Sequence, residues 1–234
     1  MMEVVLSRAR MVAENLAMDE SVARNAWDAG THLLRFWWGG PPAVVMGSSE
    51  RPEQVADVAE CARYGVSLLR RCTGGGTVLQ TNDVLNYSLI TPAPASFDVR
   101  AFFCLGTDII RAILASFGIT GVPQGTSDVA VGDRKISGNA QAWRWKSCLV
   151  HGTLLIDFDF DLAEKLLKHP SREPDYRRGR CHRDFLVTLR ALGVRASRGD
   201  IETAAILAAK QIFGSVKPQH TPPSSYPPSA AILS

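Results

Sequence analysis

The chain has 234 residues, a length that suits one large domain or two small ones. Hydrophobic residues make up 46% and charged residues 21%, which excludes a disordered or collagen-like chain. The formal charge of +3, from 26 basic and 23 acidic side chains, is too small to imply nucleic-acid binding. No apolar run approaches the roughly 18–20 residues of a membrane helix.

In chain order, residues 12–27 read as a helix, with Leu16, Val22, Ala23 and Trp27 near the helical period. Two apolar runs, Leu33–Trp38 and Ala43–Met46, flank Gly39-Gly40-Pro41-Pro42 and read as strands joined by a Gly/Pro connection. A helix is expected over 52–64, with Pro52 in its first turn. A short strand, Val66–Leu69, runs into Arg70, Arg71 and the glycines Gly74, Gly75 and Gly76, and strands follow near 77–79 and 84–91. Residues 98–117 give the clearest helix, because Phe102, Phe103, Ile109, Ile110, Ile113 and Leu114 recur at i, i+3, i+4 and Gly118 is a natural stop. Residues 127–158 read as β structure with a Gly132-Asp133 turn, and helices are expected over 161–168 and 199–213. Strands and helices mix without regular βαβ alternation, so the class is α+β around a mixed or antiparallel sheet flanked by helices. Residues 1–214 make one domain. Residues 215–234, which hold five of the thirteen prolines, are expected to be a disordered tail.

The cysteines, Cys61, Cys72, Cys104, Cys148 and Cys181, are scattered and form no metal-ligand spacing. Their odd number and wide spacing, with no apolar signal core at the N-terminus, point to a reducing, cytoplasmic setting.

Three segments carry candidate chemistry. Three consecutive glycines after a strand cost conformational entropy. They make either a flexible hairpin tip or a loop whose bare backbone approaches an anion, a reading that Arg70 and Arg71 favour. On a strand through 134–142, Lys135, Ser137, Asn139 and Gln141 share one face, either solvated or lining a polar cleft, and Gly138 permits close approach. His151 opens a third segment and is structural or catalytic. Asn86 alternates with Leu85, Tyr87 and Leu89, so it faces solvent or the same cleft. Cys148 and His151, three apart on a strand, point to opposite faces and make a poor nucleophile pair.

Together, NLAMDESV, RRCTGGGTV, LNYSLI, GTSDVAVGDRKISGNAQ and HGTLLID resemble the lipoate–protein ligase family, in that order and spacing, over residues 12–168. The resemblance implies the α+β catalytic domain shared by biotin and lipoate ligases and related to class II aminoacyl-tRNA synthetases. It implies activation of lipoic acid (or octanoate) with ATP and Mg²⁺, then transfer of the acyl group to a lysine. That lysine belongs to a 2-oxoacid dehydrogenase lipoyl domain or the glycine-cleavage H protein. By motif, Lys135 is the catalytic lysine, touching the acyl carbonyl and the α-phosphate. Arg71, Gly75, Gly76, Thr77, Val78 and Leu79 bind nucleotide. Arg70, Gly74, Asn86, Ser137, Gly138, Ala140, His151 and Gly152 line the acyl site. Asp128, preceded here by Ser127, lies near the metal. A lysine between two anions offsets their repulsion, and one such donor is worth about 3–4 kcal/mol of barrier.

A transferase of the same fold would move an octanoyl group from a carrier without ATP, using a cysteine upstream of the GxKxSG segment, yet no cysteine lies between Gly118 and Lys135. A biotin ligase and a non-catalytic carrier-binding protein are the further alternatives. Arg177 and Arg178, in the arginine-rich stretch 171–184, are either solvated or part of a docking surface for the acceptor. Residues beyond 214 leave no room for the accessory domain of larger ligases. Either the chain completes both half-reactions alone, or a separate polypeptide supplies the missing part.

Overall fold

The computed structural model describes residues 1–7, 11–96 and 98–219. In chain order the elements are β1 (Met2–Leu6), α1 (Val12–Ala29), β2 (Leu33–Trp38), β3 (Ala43–Met46), α2 (Pro52–Val55), α3 (Val58–Arg63), β4 (Ser67–Arg70), β5 (Val78–Gln80), β6 (Val84–Pro92), α4 (Val99–Ala115), β7 (Val122–Gln124), β8 (Asp128–Val131), β9 (Arg134–Arg144), β10 (Ser147–Leu155), α5 (Phe160–Leu166), α6 (His182–Phe185), α7 (Arg198–Phe213) and β11 (Val216–Gln219). A single 3₁₀ turn, Asp175–Arg177, precedes α6.

Eight strands form one sheet in the order β11-β1-β2-β6-β10-β9-β8-β7, and β4-β3-β5 form a second. The first three strands of the large sheet are mutually parallel and the remainder antiparallel. Alternation along the central strands assigns the faces. Leu85, Tyr87, Leu89, Val150 and Leu154 pack under α4 and α7 with Ile109, Ile113, Ile201 and Ala205. The opposite face receives α1, through Val22, Ala23 and Ala26 against Val5, Leu33, Ile90 and Leu149. The small sheet joins that side through Trp37, Val45 and Leu69. Its own outer face packs Val44, Met46 and Leu79 on α3 and α5. Asp98 caps α4 by accepting from the backbone amides of Arg100 and Ala101. Each fully buried isoleucine or leucine of α4 contributes about 1.5–3 kcal/mol. A cleft between the two sheets results.

Four expectations change. The helix over 52–64 is two helices, because Ala56 is extended and bridges Leu167, and Asp57 starts a new helix by capping the Glu60 amide. The tail does not begin at 215. Residues 216–219 form β11 beside β1, because β1 exposes an unpaired edge that a short extended segment satisfies. Residues 220–234 lie outside the described residues. Strands β1 and β7 have no counterpart in the sequence reading, being short edge segments whose pairing is non-local. The β9–β10 connection is a second tight turn at Trp145-Lys146, both at φ 55°. Among the described residues, no helix is long and apolar enough to cross a membrane.

Candidate active site

The glycine loop is shaped by Arg71, whose buried guanidinium is wrapped inside it. Its Nε donates to Thr73 Oγ1 at 3.0 Å and its Nη1 to the Val45 carbonyl at 3.3 Å. Its Nη2 donates to the carbonyls of Gly74 and Gly76 at 2.7 and 2.8 Å. A trans peptide points its N–H opposite to its C=O. The amides of Gly75 and Thr77 therefore face away from Arg71, and neither has a hydrogen-bond partner among the described residues. Gly75 adopts φ 88°, a conformation that suits glycine, and a Cβ on Gly47 would lie 2.1 Å from the Gly75 carbonyl oxygen. Burial pulls the Arg71 guanidinium down to about 10, against the attraction of Glu50, so it stays charged at neutral pH. Glu50 ties the loop down by accepting from Thr77 Oγ1 and the Gly47 amide at 2.7 and 2.8 Å.

Arg70, expected at the acyl site, is drawn elsewhere. It donates to the carbonyls of Gly47, Ser48 and Glu50 and, like Gly74, is not among the residues lining the cleft.

Lys135 opens β9, and its Nζ lies 2.8 Å from Asp128 Oδ1 at the start of β8. Ser137, Asn139 and Gln141 share one face as expected, opposite Leu154, Gly152 and Val150, but Lys135 leaves it. Val129 pairs with Ser137 and Ala130 with Lys135, so the ladder skips Ile136. This bulge reverses the side from which Lys135 emerges. Beyond the bulge, on the regular ladder, Asn139 faces α4 and accepts from Tyr87 Oη at 2.5 Å, and Gln141 donates to the Val99 carbonyl there. Ser137 is buried, and its Oγ has no partner among the described residues. Lys135 instead lies across Gly138, where a Cβ would stand 2.7 Å from Nζ. The other Asp128 oxygen accepts from Tyr176 Oη at 2.9 Å. Burial, with Asp128 beside it, pushes the Tyr176 phenol well up, so it remains a donor.

His151 sits on the cleft face of β10, opposite Ala140. Its Nε2 lies 2.7 Å from Thr73 Oγ1 and its Nδ1 faces Asp19 Oδ2 at 3.5 Å. Asp19 also accepts from Ser88 Oγ at 2.6 Å and from the fully buried Arg35, which reaches Asn15 as well. Burial alone would raise the Asp19 carboxyl, but Arg35 and His151 override it and hold it below its usual range. Sequence reasoning missed Asn15, Asp19, Arg35, Thr73 and Ser88. A signal existed for Arg35: a charge inside the apolar run Leu33–Trp38 requires a buried partner. Asn86 faces the cleft and exchanges two hydrogen bonds with Gln80, at 2.7 and 3.0 Å. Cys148 lies on the other face of β10 from His151, and burial pushes its thiol up to about 12.

The segment before and within α6 closes the far wall. Arg177, read from sequence as a surface residue, is only 5% exposed. It stacks over Phe185 at 4.9 Å, pairs with Glu173 through Nε, and its Nη2 has no hydrogen-bond partner among the described residues. His182 is held near 4 by burial and by Arg177, hence neutral.

These walls enclose about 430 Å³. The cations Lys135, Arg71, Arg172 and Arg177 line this cleft, as do the apolar Leu16, Trp37, Val45 and Val78, together with Gly75, Gly76, Thr77, Leu79, Asn86, Gly138, Ala140 and Gly152. The cations, one with a guanidinium nitrogen that has no hydrogen-bond partner among the described residues, fit a polyphosphate. A protein-held metal fits poorly. Both Asp128 oxygens are engaged, and no group of three His, Cys, Asp or Glu side chains converges among the described residues. Asp128 here anchors Lys135 and Tyr176.

A cleft lined by both apolar side chains and cations, with the glycine loop in its wall, can hold an apolar group and an anion together. The chain belongs to the lipoyl protein ligase A/B catalytic domain family, whose model matches residues 11–206. It is 30% identical over 156 residues to lipoate–protein ligase 1 of Staphylococcus aureus, covering 66% of this chain and 46% of that one. It is 30% identical over 182 residues to octanoyltransferase LipM of Carboxydothermus hydrogenoformans, covering 69% and 67%. The chain thus spans about half the length of the ligase relative. Its fold matches a crystal structure of lipoate–protein ligase A bound with ATP, at a TM-score of 0.82 and 23% identity over 95% of this chain and 90% of that one. It also matches the bi-partite lipoate protein ligase of Thermoplasma acidophilum, solved in a study that included its E2 lipoyl domain. That match has a TM-score of 0.79 and 23% identity over 95% and 87%.

Proposed function

We propose that this chain activates lipoate, or octanoate, with ATP and passes the acyl group to a lysine of an acceptor domain. In the first step a carboxylate oxygen bonds to the α-phosphorus as the bond to pyrophosphate breaks. In the second, the acceptor amine bonds to the acyl carbon, AMP leaves with the former carboxylate oxygen, and the amine nitrogen sheds its proton. The observation that carries this reading is Lys135, anchored by Asp128 in a cleft lined by both apolar side chains and cations. There it neutralises both anions as they meet. The apolar side chains of Leu16, Trp37, Val45 and Val78 take the acyl tail, and the Gly75 and Thr77 amides take phosphate oxygens. Magnesium would arrive on the nucleotide phosphates, as it commonly does.

Similarity to an octanoyltransferase supports a second reading, acyl transfer from a carrier without ATP. It requires a thiol at the cleft, and no cysteine is among the described residues that line it. Lipoate-dependent exchange of pyrophosphate into ATP tests the first reading. Exchange supports it. Transfer from an octanoyl carrier with no exchange overturns it in favour of the second. The bi-partite relative supports running the transfer step with an E2 lipoyl domain and with a candidate second polypeptide, and an H protein is the further acceptor to try.

A further inference from the structure

The hydrogen bonds beneath the glycine loop have a fixed direction. Arg71 Nε can only donate, so Thr73 Oγ1 accepts from it at 3.0 Å. The Thr73 hydroxyl hydrogen then needs an acceptor, because Thr73 is fully buried. The atom in place is His151 Nε2 at 2.7 Å, and no other bond from this hydroxyl is made among the described residues. His151 Nε2 is therefore the acceptor and its ring hydrogen sits on Nδ1, facing Asp19 Oδ2. Arg35 donates to the second Asp19 oxygen and closes the chain.

We propose that Asp19 and His151 are positioning residues which act through Thr73 to orient the Arg71 guanidinium, and with it the outward amides of the glycine loop. The chain links four elements: α1 supplies Asp19, β2 Arg35, β10 His151 and the loop Thr73 and Arg71. Arg71 holds the Gly74 and Gly76 carbonyls only while its plane is fixed. Thr73 fixes one edge of that plane. The apparatus is distinct from Lys135 and its anchor: Asp19, His151 and Thr73 order the loop through Arg71. Its role in nucleotide binding rests on the functional reading above, whereas its geometry does not.

The test separates the two. In protein labelled with ¹⁵N-histidine at neutral pH, His151 should show a protonated Nδ1 and a bare Nε2. A proton on Nε2 overturns the proposal. Thr73→Val removes the hydroxyl without touching the Asp19–Arg35 pair, and Thr73→Ser restores it. Thr73→Val should speed hydrogen exchange at the Ser48 amide, which donates to the Thr73 carbonyl at 2.8 Å, about tenfold, the worth of one buried hydrogen bond. Thr73→Ser should stay within about twofold of wild type. Equal exchange in the two variants overturns the proposal. In the pyrophosphate-exchange assay, Thr73→Val should raise KM for ATP about tenfold and leave kcat nearly unchanged. A fall in kcat at constant KM would overturn the positioning role. If wild-type protein shows no exchange activity, the functional reading fails, and the ring tautomer and Ser48 amide exchange still decide the relay.

Discussion

Gly138→Ala isolates the placement of Lys135 from its charge. A Cβ at this position would stand 2.8 Å from Lys135 Cε and 2.7 Å from Nζ, with Asp128 Oδ1 at 3.6 Å. Ordinary carbon contacts begin near 3.5 Å, so the lysine must retreat by roughly 0.7 Å. The clashing atoms are the far end of a flexible side chain, so the backbone has no need to move. Gly138 is not among the glycines with positive φ, and alanine in a strand avoids the entropy cost of glycine, about 0.5–1 kcal/mol. Stability should therefore hold or rise slightly. The ion pair with Asp128, now 2.8 Å, has to be re-formed or lost. A displacement near 1 Å in a catalytic group can cost about 10²-fold, or about 2.7 kcal/mol of barrier. The assay is lipoate-dependent pyrophosphate exchange beside a thermal melt. The expected result is a drop in kcat of about 10–10²-fold at unchanged Tm. Exchange at wild-type rates would refute the placement of Lys135. An equal loss in Gly138→Ser and Gly138→Ala accompanied by a lower Tm would show that the backbone, not the lysine, responds.

Further outcomes follow from the same geometry. Lys135→Ala should lower exchange by roughly 10²–10³-fold, measured at saturating substrates, and near-normal rates would remove it from the reaction. Asp19→Asn leaves Arg35 buried without its anionic partner and should cost about 3–5 kcal/mol, seen as a fall in Tm of roughly 6–20 °C. Because the folded Asp19 carboxyl lies below its usual range, its contribution is complete above the unfolded value near 3.9 and is lost as pH falls through the folded value. The Tm advantage of wild type over Asp19→Asn should thus shrink below about pH 4, and a gap that widens on acidification would contradict this. Arg177→Ala removes a buried cation of the cleft and should weaken ATP binding in calorimetry. Charge reversal at Arg178, which is exposed, should weaken acceptor transfer while sparing exchange, and equal loss of both would dismiss docking at this loop.

Legibility followed range. Helix α4 was readable because its apolar spacing and its Gly118 stop are local, and the burial of Ile109, Ile110, Ile113 and Leu114 agrees. The α2–α3 break was not, because it depends on Ala56 bridging Leu167, more than a hundred residues away. The departure of Lys135 from the polar row of β9 was hidden for a comparable reason. Strict alternation assumes an unbroken ladder, and the bulge at Ile136 is decided by pairing with β8. Arg177 looked solvent-bound in an arginine-rich stretch, yet Phe185 and the cleft wall bury it.

The sequence by itself determined the α+β class, the glycine loop after a strand, and Lys135 with its motif, since each rests on residue type at short spacing. Tertiary structure decided which cations face the cleft. It turned Lys135 inward through a bulge, took Arg70 away to the 47–50 loop, and brought Asp19 and Arg35 beneath His151. The physical reason is common to all three. A charged side chain points wherever its partners can satisfy it, and in this chain those partners come from elements that are neighbours only after folding.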